Sequence, residues 1–432
     1  MKHKVLQWVK ENGLTGVFYL IAFVAVVFFG DVFAPGAELW DLTIFSSMVA
    51  VMIIDFLGKF TTRLFIGRNE DFIKLRQSGD ELIKLYQNDN LLTFQNQENG
   101  VAYQKLKRKY KLKASKTKFP VIQDYQYESG MKLGIEDNNE KKYSLPEQIA
   151  RQYDDLMKSH DTSTVYNQLN IRVDDWVKGD KTFTLKTSRT TYFDSLVTNR
   201  SVDYSWKNKL TTRQLYAYGP FAPRLSESVF SNHLGFNGFV ESSDEYIPFV
   251  KRSAKVSIAK KTYGASVNAS LKTKFALEAK GERVFAVEGL KAAILKEVED
   301  ELNIEKTELV DVDLGEVIIA AYRELVEGGK PQLLFYLKCK QDRATIERNF
   351  MKKKSMVSKS KWNEMQVLMD GEELVWVHRN QLCSLAIAQN CMVVEEIKKS
   401  KVKAKAYKMA PTVSASVVML IDYLKKKRGA TL

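Results

Sequence analysis

The sequence predicts an N-terminal two-span transmembrane α-hairpin followed by a cytoplasmic α/β domain. Three observations carry this expectation. Two long apolar stretches, residues 14–33 and 42–60, open the 432-residue chain. Each is close to the ~20 residues that cross a ~30 Å hydrocarbon core. Charge is uneven about them: Lys2, Lys4 and Lys10 precede the first, Lys59, Arg63 and Arg68 close or follow the second, and residues 30–41 hold acidic residues but no Lys or Arg. Farther on, an amphipathic helical stretch at residues 290–304 is bracketed by short apolar runs of strand type.

Residues 1–61 form the two spans. The positive-inside rule places both termini on the cytoplasmic side, with a short loop outside. A cleaved signal peptide is the rival for the first stretch, but Pro35 directly follows the small-residue site Val32-Phe33-Ala34, and a second apolar stretch comes soon after. Asp55 and Lys59 are ionisable residues inside the second stretch. Charge within a span is expensive, which makes Asp55 a functional candidate. Pairing with Lys59 one helical turn later is its simpler role.

Residues 62–164 read as a helical and basic cytoplasmic connector. Phe72, Ile73, Leu75, Leu82, Ile83, Leu85 and Tyr86 recur at roughly helical spacing, with Gly79 as a break. Residues 105–113 alternate Lys and Arg with Leu and Tyr, and Pro146 suits the first turn of a helix. A second basic run comprises Lys398, Lys399, Lys401, Lys403, Lys405 and Lys408; Lys425, Lys426, Lys427 and Arg428 lie in a C-terminal helix and basic tail, residues 416–432. With a formal net charge of +14, such runs suit phosphates or lipid headgroups, or serve as solubilising charge. Nothing resembles a helix-turn-helix or a base-stacking platform, so duplex DNA is not expected as a partner. Cys339, Cys383 and Cys391 are odd in number and lack metal-type spacing, which fits a reducing compartment. The histidines are dispersed and suggest no zinc site.

Residues 165–415 form the α/β domain. Its most informative stretch is residues 296–304, where Glu297, Asp300 and Glu301 fall within an arc of roughly 100° at ~100° per residue. Leu290, Ile294, Val298 and Leu302 form a neighbouring apolar stripe. Like charges at these spacings repel by a few tenths of a kcal/mol per pair. Clustered hard oxygen ligands make the three residues candidate ligands for Mg²⁺ or Mn²⁺. Lys251, Arg252 and Lys261 are candidate phosphate contacts, because ammonium and guanidinium groups stabilise anionic oxygens.

These residues resemble the signature helix of the Nudix superfamily. Glu288, Glu297, Val298, Glu301 and Ile304 match its pattern, while Lys296, Asp300 and Asn303 replace Arg, Glu and Gly, and Glu282 stands where the upstream Gly belongs. The segment Arg323-Glu324-Leu325-Val326-Glu327-Gly328-Gly329-Lys330-Pro331 is similar to one recurrent in a Nudix branch. The resemblance implies a Nudix-like α/β/α sandwich, with Glu301 as the catalytic carboxylate of a metal-dependent hydrolase of nucleoside diphosphate-linked substrates. Two spans ahead of such a domain resemble the membrane effectors of bacterial CBASS anti-phage signalling. That implies an inner-membrane, multi-pass protein whose sandwich senses a cyclic nucleotide second messenger. Its spans would then form a homo-oligomer that disrupts the lipid bilayer. The altered signature fits a receptor better than a hydrolase; both readings stand as expectations.

Overall fold

The computed structural model describes residues 79–429 apart from 111, 113, 159, 161–166, 207–209, 253–261, 278–282, 311, 360–370 and 399–400. All belong to a unit that begins at Phe72. In chain order the strands are β1 (Leu91–Gln95), β2 (Lys116–Gln126), β3 (Lys132–Lys142), β4 (Leu169–Lys178), β5 (Thr182–Thr191), β6 (Gly235–Glu241), β7 (Tyr246–Arg252), β8 (Tyr263–Gly264), β9 (Val267–Ser270), β10 (Ile318–Glu324), β11 (Lys330–Lys338), β12 (Gly371–His378), β13 (Ala386–Ala388), β14 (Cys391–Lys398) and β15 (Lys401–Lys408). The helices that matter most are α1 (Val101–Tyr110), α2 (Val287–Leu302), α3 (Arg343–Lys359) and α4 (Pro411–Gly429).

A six-stranded sheet, ordered β1-β2-β10-β11-β6-β9, organises the core. Only β11 and β6 run parallel within it. Its central strands are buried on both faces, which is why β10 and β11 read as near-continuous apolar runs. Strand alternation sends their side chains two ways. Leu333, Phe335 and Leu337 join Leu290, Ala293, Ile294 and Val298 of α2. Leu334 and Tyr336 join Val417, Val418, Leu420 and Ile421 of α4 on the other side. The parallel register sets Phe335 opposite Gly238, and a Cβ there would meet the phenyl ring at 1.9 Å. Glycine is the residue that permits this approach. At the far end of α2, Asn303 takes the left-handed cap conformation (φ 58°, ψ 42°) and its N–H donates to the Glu299 carbonyl.

Among the described residues there are three smaller sheets: β12-β7-β8, β13-β14-β15 and β3-β5-β4. The expected fold class is corrected here. β1 and β2 come from the stretch read as a connector, yet they form one edge of the main sheet, with β2 hydrogen-bonded to β10. Four sheets therefore replace the single Nudix-like sandwich. The membrane expectation is corrected as well: among the described residues no helix is long and apolar enough to cross a membrane. The longest, α4, has 19 residues but ends in Lys425, Lys426 and Lys427. The two apolar stretches, with Asp55 and Lys59, lie outside the described residues. The two-span anchor and the multi-pass inner-membrane localisation are withdrawn accordingly.

Candidate functional site

Lysines already neutralise the acidic face of α2. Glu297 is buried, and Lys272 Nζ donates to its Oε1 at 3.2 Å. Burial raises the pKa of Glu297, and Lys272 opposes that rise. Asp300 accepts from Lys296 Nζ at 3.0 Å and lies 3.7 Å from Lys353 Nζ on α3. Glu301 is half-buried. Among the described residues, no group of three or more His, Cys, Asp and Glu side chains is arranged to hold a metal ion. Two of the three expected donors, Glu297 and Asp300, are paired with ammonium groups, a setting unlike the shared oxygen shell that Mg²⁺ or Mn²⁺ takes.

Of the expected phosphate contacts, Lys251 and Arg252 lie on β7. Lys251 Nζ donates to Glu373 Oε2 at 3.0 Å across the β7–β12 pair, and that partner raises its pKa. Arg252 ends β7, half-buried. Lys261 lies outside the described residues.

A buried ionic cluster sits where the β10–β11 hairpin turns. Gly328 and Gly329 adopt positive φ (68° and 90°), which brings Glu324 into register with Lys330. Glu327 Oε2 lies 3.3 Å from Lys330 Nζ and 3.8 Å from Arg200 Nε. Burial, then the neighbouring Glu327, pushes the Glu324 carboxyl up to about 7. Burial opposes ionisation of Glu327 too, but Lys330 and Arg200 hold it below the usual range. His233, fully buried, shares a hydrogen bond at 3.1 Å with Ser270 Oγ through Nε2. Burial, then Lys330 and Arg200, keeps this imidazole neutral. The cluster ties the hairpin to the entrance of β6 and to the short turn Asn199–Ser201.

A basic groove lies on another face. α1 buries Ala102, Tyr103 and Leu106 against Ala386, Ala388, Cys391 and Val393, with Ala404 and Ala406 partly buried beside them. Glu395 Oε1 accepts from the Ala102 N–H at 2.8 Å and so satisfies an open donor at the start of the helix. Val101, Gln104, Lys105 and Arg108 share a second stripe of α1, outside its buried face. These residues, with Lys403 and Ala404, line a groove of about 580 Å³. Lys105 Nζ donates to the Ala404 carbonyl, 299 positions away in sequence. Lys107, Lys109 and Lys408 are exposed nearby, whereas Lys405 lies over the Tyr407 ring on the other face of β15. Both basic runs are visible in the sequence; their meeting is not. The available signal was the alternation of Lys with small or apolar residues in β15, which marks a strand with one packed face.

No family model matches the chain, and no curated protein matches it. Among solved structures, DR0079 from Deinococcus radiodurans is 15% identical over 35% of this chain and 69% of that chain, with a TM-score of 0.21. At that score the likeness carries no argument. The expected membership of the Nudix superfamily, and of its CBASS membrane-effector branch, is corrected: no family model supports it, and the acidic helix that suggested it is occupied by lysine partners.

Proposed function

We propose that the protein binds a phosphate-bearing ligand of the nucleotide class in the groove between α1 and β15. The observation that carries this reading is that Lys105, Arg108 and Lys403 all line one groove of about 580 Å³. That volume falls in the range of roughly 300–1,000 Å³ that suits small ligands. Arg108 offers a planar fork to phosphate oxygens, and the lysines add point charges. Val101, well exposed in the lining, supplies apolar surface for a base or sugar face. The geometry favours binding over metal-assisted cleavage at α2, because Glu297 and Asp300 are committed to lysines. A cyclic nucleotide remains the first ligand to try.

Calorimetric titration of the full chain with a panel of mononucleotides and cyclic di- and trinucleotides tests the reading. Binding should weaken at least tenfold in the Lys105→Ala/Arg108→Ala double variant, since each charge-assisted hydrogen bond contributes about 1.5–3 kcal/mol. Affinity unchanged in that variant, or no binding across the panel, would overturn it.

A further inference from the structure

We infer that the ligand of this groove carries a chain of phosphates and follows α1 and β15 along their length, as a single-stranded oligonucleotide does. The inference rests on the phosphate-binding reading and extends it. A single terminal phosphate brings a charge of about −1.5 to −2. Lys105, Arg108 and Lys403 in the lining already exceed that, and Lys107 and Lys109 of α1 add to it. Two nearby carboxylates offset part of this charge. Glu395 is engaged by the Ala102 N–H, and Glu396 accepts from Tyr407 Oη at 3.4 Å while facing Lys403 across the β14–β15 pair.

Length points the same way. The 10 residues of α1 extend about 15 Å at ~1.5 Å per residue, and the 8 residues of β15 about 26 Å at ~3.3 Å. One phosphate cannot span walls of that length. β15 is also the outer strand of its sheet, so its outer row of backbone N–H groups faces away from β14. Backbone N–H groups contact phosphates in nucleic-acid complexes.

Lysines on an edge strand also discourage pairing with other strands. That role accounts for Lys403 and Lys405 but not for the cations of α1. On the helix, Lys105 stands at i, i+3 and i, i+4 from Arg108 and Lys109, where like charges repel. A polyanion lying in the groove relieves that repulsion.

Fluorescence anisotropy with the full chain tests this, using labelled single-stranded RNA and DNA of about twelve nucleotides, with inorganic polyphosphate and a mononucleotide as competitors. Salt is varied from roughly 50 to 200 mM. The expected slope of log K against log salt is about −2 or steeper, at about −0.7 per phosphate contacted. Lys105→Ala, Arg108→Ala and Lys403→Ala should each flatten that slope by about 0.7 with unchanged circular dichroism. Competition by polyphosphate alone, without oligonucleotide binding, would overturn the oligonucleotide assignment. A mononucleotide matching the oligonucleotide in affinity and slope would overturn the inference while leaving the proposed function standing. Failure of every phosphate ligand would overturn both.

Discussion

Lys272 reaches from the turn after β9 to Glu297 on α2, Nζ to Oε1 at 3.2 Å. This contact reverses the meaning of the acidic helix. A carboxylate paired this way stabilises the attachment of α2 to the sheet, and a divalent ion would have to displace lysines to use it. Millimolar Mg²⁺ or Mn²⁺ should therefore leave the melting temperature within error, whereas an ion at about 100 times its Kd would stabilise by ~2.7 kcal/mol. Differential scanning fluorimetry decides the matter; a metal-dependent rise abolished by Glu301→Gln would restore a metal role for α2.

Glu324 gives the hairpin cluster its pH dependence. It faces Glu327, Lys330, Arg200 and Gln332, with Tyr322 on its own strand. His233 faces the same cations. With its folded pKa raised from 4.5 to about 7, the native state binds more protons than the unfolded state between those values. Stability from this group therefore falls as pH rises through that window. His233, with a lowered pKa, acts oppositely and removes stability as pH falls below about 6.5. Glu324→Gln should melt higher than the parent at pH 8 and no higher at pH 4.5. Melting curves across that range check it, and an unchanged difference between the two pH values would contradict it.

Arg213 should be the most sensitive single position in the described fold. Its guanidinium donates to both Asp203 oxygens at 2.7 and 2.9 Å, to Tyr86 Oη at 3.2 Å, and to the Leu325 and Val326 carbonyls at 2.7 and 3.1 Å. It is 1% exposed. Arg213→Ala should destabilise by about 3–5 kcal/mol, because Asp203 is left charged and buried. Adding Asp203→Leu should recover part of that loss. Urea denaturation midpoints measure both.

Gly238→Ala should destabilise by about 1–3 kcal/mol, since the added methyl overlaps the Phe335 ring and forces strands or side chain to shift. Combining it with Phe335→Leu should cost less than the sum of the two single changes. Strict additivity in denaturation would show that the two positions are not in contact.

Local features were legible and long-range ones were not. The amphipathic stretch that forms α2 and the apolar runs that become β10 and β11 follow from periodicity and run length. The pairing of β2 with β10 leaves no such trace: Asp124 meets Arg323 across 199 positions. Residues 116–126 therefore read as part of a linker. The acidic helix misled for a related reason. Its carboxylates are adjacent in sequence, but Lys272 and Lys353, which neutralise them, belong to other segments. The groove was hidden in the same way, with its two walls far apart along the chain.

That strand order also governs when the protein can fold during synthesis. β1 and β2 emerge early, but their sheet partner β10 and the covering helix α4 are made some two hundred to three hundred residues later. Phe119 and Val121, fully buried in the finished molecule, must wait on the ribosome with their apolar surface uncovered. Non-local pairing of this kind slows folding and exposes sticky intermediates. A fragment ending before residue 318 lacks the strand that β2 pairs with, and one ending before 411 lacks the helix that closes the second half of the core.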